Sequence, residues 1–152
     1  MAYLIGVVLA VVVGGIASLL RLDRDRAFYP TVLIVIASYY GLFAVMGDLD
    51  GALPLEVTVF TGFLAVSGVG FRRSLWIVAA GLVAHGVFDA LHNQVITTPG
   101  VPAWWPQFCL SYDVVAAGYL ASLLLRRVVP AHALEPAHAA AGRGGPALRG
   151  RR

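Results

Sequence analysis

His85, Asp89 and His92 can each bind a metal or pass on a proton, and they lie in an otherwise apolar stretch, Ala84-His85-Gly86-Val87-Phe88-Asp89-Ala90-Leu91-His92. Each residue of an α-helix turns the chain by about 100°, so Asp89 falls roughly 40° from His85, and His92 about 20° to its other side. The three side chains therefore share one narrow stripe. Ionisable groups in an apolar helix are costly unless they face protein or water, so the stripe is a candidate functional site.

Imidazole and carboxylate together suit Zn²⁺, or a non-haem iron or manganese centre. The first reading takes His85, Asp89, His92 and Asp113 as ligands of such a divalent metal, Zn²⁺ being the leading choice. Glu56 and Asp113 are then the catalytic carboxylates, with Glu56 carrying the proton. A bound metal would activate water for hydrolysis of a lipid-like small molecule arriving from the membrane. The spacing is not the His-Glu-x-x-His metalloprotease signature. A second reading makes the same groups a proton relay or a small proton-coupled transporter. A third makes them structural, as polar pairs that hold transmembrane helices together by less than about 2 kcal/mol each.

The elements that position these groups are transmembrane helices. The chain of 152 residues is 59% hydrophobic and only 12% charged, against about 25% charged in soluble domains. Lysine is absent, and all 11 basic residues are arginine. With abundant Ala, Gly and Val, this composition suggests a GC-rich bacterial genome and hence a bacterial inner (cell) membrane. The net charge of +3 is not read as affinity for nucleic acid, because the arginines flank apolar spans where they set topology. Membrane lipid is the expected partner, and self-association into an oligomer is allowed. Cys109 is the only cysteine; an internal disulfide and a multi-cysteine metal site are excluded, and it reads as a small buried hydrophobe.

An all-α, five-helix transmembrane bundle is expected over residues 1–127. A helix crosses a 30 Å hydrocarbon core in about 20 residues, and the spans fall at about 2–20, 28–46, 52–70, 75–92 and 108–125. Only Met1 precedes the first apolar run, so the basic n-region of a signal peptide is missing. That run is read as a retained helix. Pro30 sits in the first turn of the second span, where its missing N–H costs little. Between spans four and five, Pro99, Pro102 and Pro106 oppose a regular helix, and Trp104-Trp105 suits the headgroup layer. This loop is read as an interfacial anchor or as a lid over the site. Residues 128–152, rich in Ala, Pro, Gly and Arg, form an expected disordered cytoplasmic tail carrying His132 and His138.

Arginine placement sets the expected orientation. Arg21, Arg24 and Arg26 follow span one, Arg72 and Arg73 follow span three, and Arg126, Arg127, Arg143, Arg149, Arg151 and Arg152 follow span five. Five spans with the N-terminus outside and the C-terminus cytoplasmic put every arginine in the cytoplasm. At 1.5 Å rise per residue, Glu56 then lies about 6 Å below the outer surface, Asp113 about 8 Å, Asp89 about 5 Å and His85 about 11 Å. Tyr39 and Tyr40 reach the middle of span two. The carboxylates and histidines are thus expected to converge in one outward-opening pocket.

Three stretches carry a resemblance: Arg26-Ala27-Phe28-Tyr29-Pro30-Thr31, His85-Gly86-x-x-Asp89-x-x-His92, and Pro99-Gly100-Val101-Pro102-x-Trp104-Trp105-Pro106-x-Phe108-Cys109-x-x-x-Asp113. Together they resemble a family of small multi-pass bacterial membrane proteins of unknown function, over most of the chain up to about Arg127. The resemblance implies membrane location and no particular activity. A fainter likeness is to seven-helix intramembrane metal hydrolases of the alkaline ceramidase and adiponectin-receptor type, which use His and Asp ligands. This chain has two fewer spans and lacks their paired histidines on a late helix.

Overall fold

The computed structural model describes residues 1–47, 51–96 and 100–132. Asp48 to Asp50, Thr97 to Pro99 and the tail from residue 133, with His138, lie outside the described residues. Among the described residues the chain forms five long helices: α1 (Ala2–Leu19), α2 (Phe28–Met46), α3 (Leu53–Arg72), α4 (Leu75–Val95) and α5 (Trp105–Leu125), with a 3₁₀ turn at Leu22–Arg24. All five are long and apolar enough to cross a membrane. No β-strand occurs among the described residues.

Proline marks three of the five starts. Pro30 lies in the first turn of α2, and Pro54 and Pro106 occupy the first turns of α3 and α5, where no intrahelical N–H bond is forfeited. Helix α5 consequently begins at Trp105, three residues before the expected start at Phe108, because Pro106 opens a helix as readily as it blocks one. Helix α4 continues to Val95, past the expected end at His92.

The ends of α1 and α5 share another device. Arg21 and Arg127 adopt left-handed backbone angles, with φ of 61° and 54°. The N–H of Arg127 donates to Leu124 O at 3.1 Å and that of Val128 to Leu123 O at 2.9 Å, the paired bonds of a Schellman stop. That turn folds the following residues back. Val129 is buried, Leu75 N donates to Ala131 O at 2.8 Å, and His132 forms an isolated bridge with Ser74. Residues 128–132, expected as the start of the tail, thus pack against the α3–α4 turn.

The contacts give the helix order that hydropathy leaves open. Helix α5 lies between α1 and α4, α4 also meets α3 and α2, and α3 meets α2. Helix α1 runs parallel to α5: Gly6 faces Phe108 and Ser111, while Gly14 faces the Tyr119 ring. Its buried residues are Gly6, Ala10, Gly14 and Ala17, a small-residue seam that lets two backbones approach closely. A cleft of about 1130 Å³ separates α1 from α2 over a floor supplied by α5.

Candidate functional site

Glu56, His85, Asp89, His92 and Asp113 are all buried, each at most 1% exposed. Three helices present them, as expected from depth. The expected opening to the outside is absent at these side chains: they are sealed inside the bundle.

The five groups divide into two. His85 Nδ1 lies 2.7 Å from Asp113 Oδ2 and 3.2 Å from Asp89 Oδ2. One imidazole nitrogen thus faces two carboxylates, one from its own helix a turn away and one from α5. His85, Asp89 and Asp113 can each offer one ligand atom such that all three atoms lie within 4.8 Å of one another. Asp113 Oδ1 has no hydrogen-bond partner among the described residues. Helix α5 packs closely at Gly86, where an added Cβ would lie 3.3 to 3.4 Å from Leu110 and Asp113 atoms.

His92 stands apart from this trio. Its Nε2 lies 2.8 Å from Glu56 Oε1, and its Nδ1 faces Asn93 Oδ1 at 3.4 Å. The shared stripe fixes azimuth but not height. Seven residues separate His85 from His92, about 10.5 Å along the axis, whereas ligands of one zinc ion sit about 2.0–2.2 Å from it. The structure therefore does not bring His92 together with the other three proposed ligands, and Glu56 is its partner.

Tyr40, placed at mid-span by the sequence but not named among the site residues, joins the two groups. Its hydroxyl donates to Asp89 Oδ1 at 2.6 Å. Its ring stacks on His92, with centroids 4.0 Å apart and planes 19° from parallel. The available signal was a tyrosine pair at the middle of span two. Tyr39 and Tyr40 face different ways: Tyr40 enters the polar core and Tyr39 lines the cleft. Phe63 from α3 closes the core with an edge-on contact to His85 at 4.8 Å, and Phe88 packs edge-on to His92 at 5.4 Å. Aromatic walls lower the local dielectric and strengthen every electrostatic contact inside.

The cleft lies on the other side of α5. Leu9 and Leu22 line it from the α1 side, Val35 and Tyr39 from α2, and Trp105 and Cys109 from α5. Cys109 is buried and precedes Asp113 by one turn, so it stands between the cleft and the polar core. At the loop end Trp104 is exposed, as an interfacial anchor would be. Trp105 instead packs edge-on against Tyr39 at 5.3 Å and Phe43 at 4.9 Å, so only one of the paired tryptophans is outward-facing.

Comparison with family models, with curated proteins and with solved structures returned no match. The functional reading therefore rests on this geometry.

Proposed function

We propose that His85, Asp89 and Asp113 hold a divalent cation of the Zn²⁺ class, and that the protein uses it to hydrolyse a lipid-like substrate inside a bacterial inner membrane. The observation that carries this reading is the convergence of one imidazole and two carboxylates, ligand atoms within 4.8 Å, at full burial. Two neighbouring carboxylates repel each other strongly in a medium of low dielectric. A divalent ion with neutral imidazole makes the set electrically neutral. Ligands at about 2.1 Å from a tetrahedral ion are about 3.4 Å apart, so closure needs only a modest contraction. Three protein ligands leave a fourth position for water, whose proton such an ion loosens.

The cleft favours a lipid-like substrate. It is long, lined mainly by apolar side chains, and reaches Cys109 on the helix that carries Asp113. An acyl chain lying there would run against Cys109, one helical turn from Asp113 on α5. Glu56, paired with His92, is the proton carrier in this scheme. Elemental analysis of the purified protein should find stoichiometric metal that His85→Ala and Asp113→Ala each abolish. A metal-free wild type, purified without chelator and still metal-free after incubation with Zn²⁺, Mn²⁺ and Fe²⁺, would end the reading.

A second reading, a proton relay, is favoured by one observation. Tyr40, Asp89, His85 and Asp113 lie in a run in which Tyr40 donates to Asp89 Oδ1 at 2.6 Å, while Nδ1 of His85 lies 3.2 Å from Asp89 Oδ2 and 2.7 Å from Asp113 Oδ2. Such runs pass protons between ionisable groups. Reconstituted vesicles with an internal pH dye test it, because a relay predicts a proton flux that Tyr40→Phe interrupts.

We propose the orientation from arginine placement, with the N-terminus outside and all described arginines at the cytoplasmic end. A reporter fused after Arg127 should be active only in the cytoplasm. Activity on the far side would reverse it.

A further inference from the structure

The charged residues of the turn between α1 and α2, Arg21-Leu22-Asp23-Arg24-Asp25-Arg26, have different partners. Asp23 is fully buried and accepts a hydrogen bond from Ser18 on the last turn of α1. Arg24 Nε lies 3.9 Å from Asp23 Oδ1. Arg26 donates to the carbonyls of Phe71 and Pro130. Arg21 and Asp25, the residues that bracket the 3₁₀ turn, are left over. Both are exposed. Asp25 Oδ1 accepts from Ala27 N at 3.0 Å. The Arg21 guanidinium has no ion-pair or hydrogen-bond partner among the described residues.

Arg21 and Asp25 also line the cleft between α1 and α2, at its arginine-rich end. Among the described residues they are the only charged side chains on its walls, which are otherwise mainly aliphatic and aromatic. Both flanking helices are long and apolar enough to cross a membrane, so the molecule that meets this cleft is a lipid. The two charges say which kind. A guanidinium binds a phosphate through paired N–H donors. A carboxylate beside it repels a headgroup of net negative charge and accepts N–H bonds from an ammonium. One phosphate and one primary ammonium, joined by two carbons, make the headgroup of phosphatidylethanolamine.

We propose that the arginine-rich end of the cleft binds a phosphatidylethanolamine molecule, with its phosphate on Arg21, its ammonium on Asp25 and its acyl chains along Leu22, Val32 and Val35. Half of a hydrocarbon core of about 30 Å is about 15 Å. Chains that start at this end therefore finish near Tyr39, eleven residues and about 16 Å along α2 from Phe28. Trp105 and Cys109 line the cleft beyond that level. This lipid presents its chain ends, not its ester bonds, to the α5 turn that carries Cys109 and Asp113. The site is one of binding, separate from the proposed hydrolysis, and it does not depend on the metal.

Native mass spectrometry of the full-length protein tests the site, after incubation in detergent with equal amounts of phosphatidylethanolamine, phosphatidylglycerol and phosphatidylcholine of identical chains. The wild type should retain phosphatidylethanolamine several-fold more than either competitor. Asp25→Asn should erase the preference over phosphatidylglycerol. Arg21→Gln should lower retention of all three lipids several-fold, and Arg21→Lys, which keeps the charge, should stand between it and the wild type. Val35→Trp, which fills the cleft, should also lower all three. Arg126→Gln, at the same end but off the cleft, should match the wild type. Asp113→Ala should keep the lipid while losing metal, which separates this site from the polar core. Equal retention of the three lipids by the wild type, or a preference for phosphatidylglycerol, would overturn the proposal. So would a preference for phosphatidylethanolamine that survives in both Asp25→Asn and Arg21→Gln.

Discussion

Tyr40 holds two histidine-centred groups with one side chain: its ring lies against the imidazole of His92 at 4.0 Å while its hydroxyl donates to Asp89 at 2.6 Å. Ring and hydroxyl can be separated by mutation. Tyr40→Phe should keep the stack and leave Asp89 Oδ1 without its donor, at a cost of about 1–3 kcal/mol. Thermal unfolding in detergent should show a lowered midpoint. A wild-type midpoint would mean that Asp89 has another donor waiting.

Asp113→Asn is nearly isosteric and should preserve the helix contacts while removing one negative ligand. Bound metal should drop to a small fraction of the wild-type content, with the melting midpoint changed much less. Proteins in which the polar core serves only as interhelical glue would show the opposite pattern, a shifted midpoint with no ion to lose.

His92→Phe separates the two groups in the other direction. The ring can still stack on Tyr40, but Glu56 loses the nitrogen at 2.8 Å. Removing the partner of a buried polar group costs about 1–3 kcal/mol. Metal stoichiometry should persist, because His92 lies outside the trio. Loss of metal in His92→Phe at an intact fold would put His92 back among the ligands.

Gly6→Ala should be among the most damaging changes on α1. The added Cβ would fall on the backbone carbonyl of Phe108 and the Ser111 hydroxyl, and a backbone atom cannot rotate away. Overpacking of this kind costs about 1–3 kcal/mol or more. Gly15→Ala, where an added Cβ would meet nothing within 4 Å, is the control and should be neutral or slightly stabilising. Equal stability of the two variants would contradict the parallel packing of α1 on α5.

Arg26→Ala removes a clasp at the arginine-rich end. Its guanidinium donates to Phe71 O at 2.8 Å and also to Pro130 O, tying α2 to the end of α3 and to the segment after α5. The effect on global stability should be small, about 1 kcal/mol. The local effect should be larger: trypsin should cut after Arg127 markedly faster in the variant.

Hydropathy and proline placement were enough to find all five helices, since a membrane allows little else for apolar runs of that length. The stripe of His85, Asp89 and His92 was also legible, because helical periodicity follows from spacing alone. What spacing could not supply was height. Azimuth suggested one ligand set, whereas the axial rise of two turns split it and gave His92 to Glu56. Tyr40 was placed at mid-span but given no role for a related reason: spacing alone does not say which of Tyr39 and Tyr40 turns toward Asp89 and His92. Asp23 was hidden more deeply. Its flanking arginines announce a solvated loop, whereas the 3₁₀ turn packs on α1 and α2 so that Asp23 is fully buried and accepts a hydrogen bond from Ser18.

Helix α1 supplies no side chain to the His85–Asp113 trio or to the Glu56–His92 pair, and it meets the other long helices chiefly through α5 along a strip of glycine and alanine. The four remaining helices carry the whole ionisable core. The first helix can therefore diverge in sequence outside that strip, or be exchanged for another apolar segment with the same small residues, without altering a single group of the core; what such an exchange would remake is the shape of the trough facing the lipid.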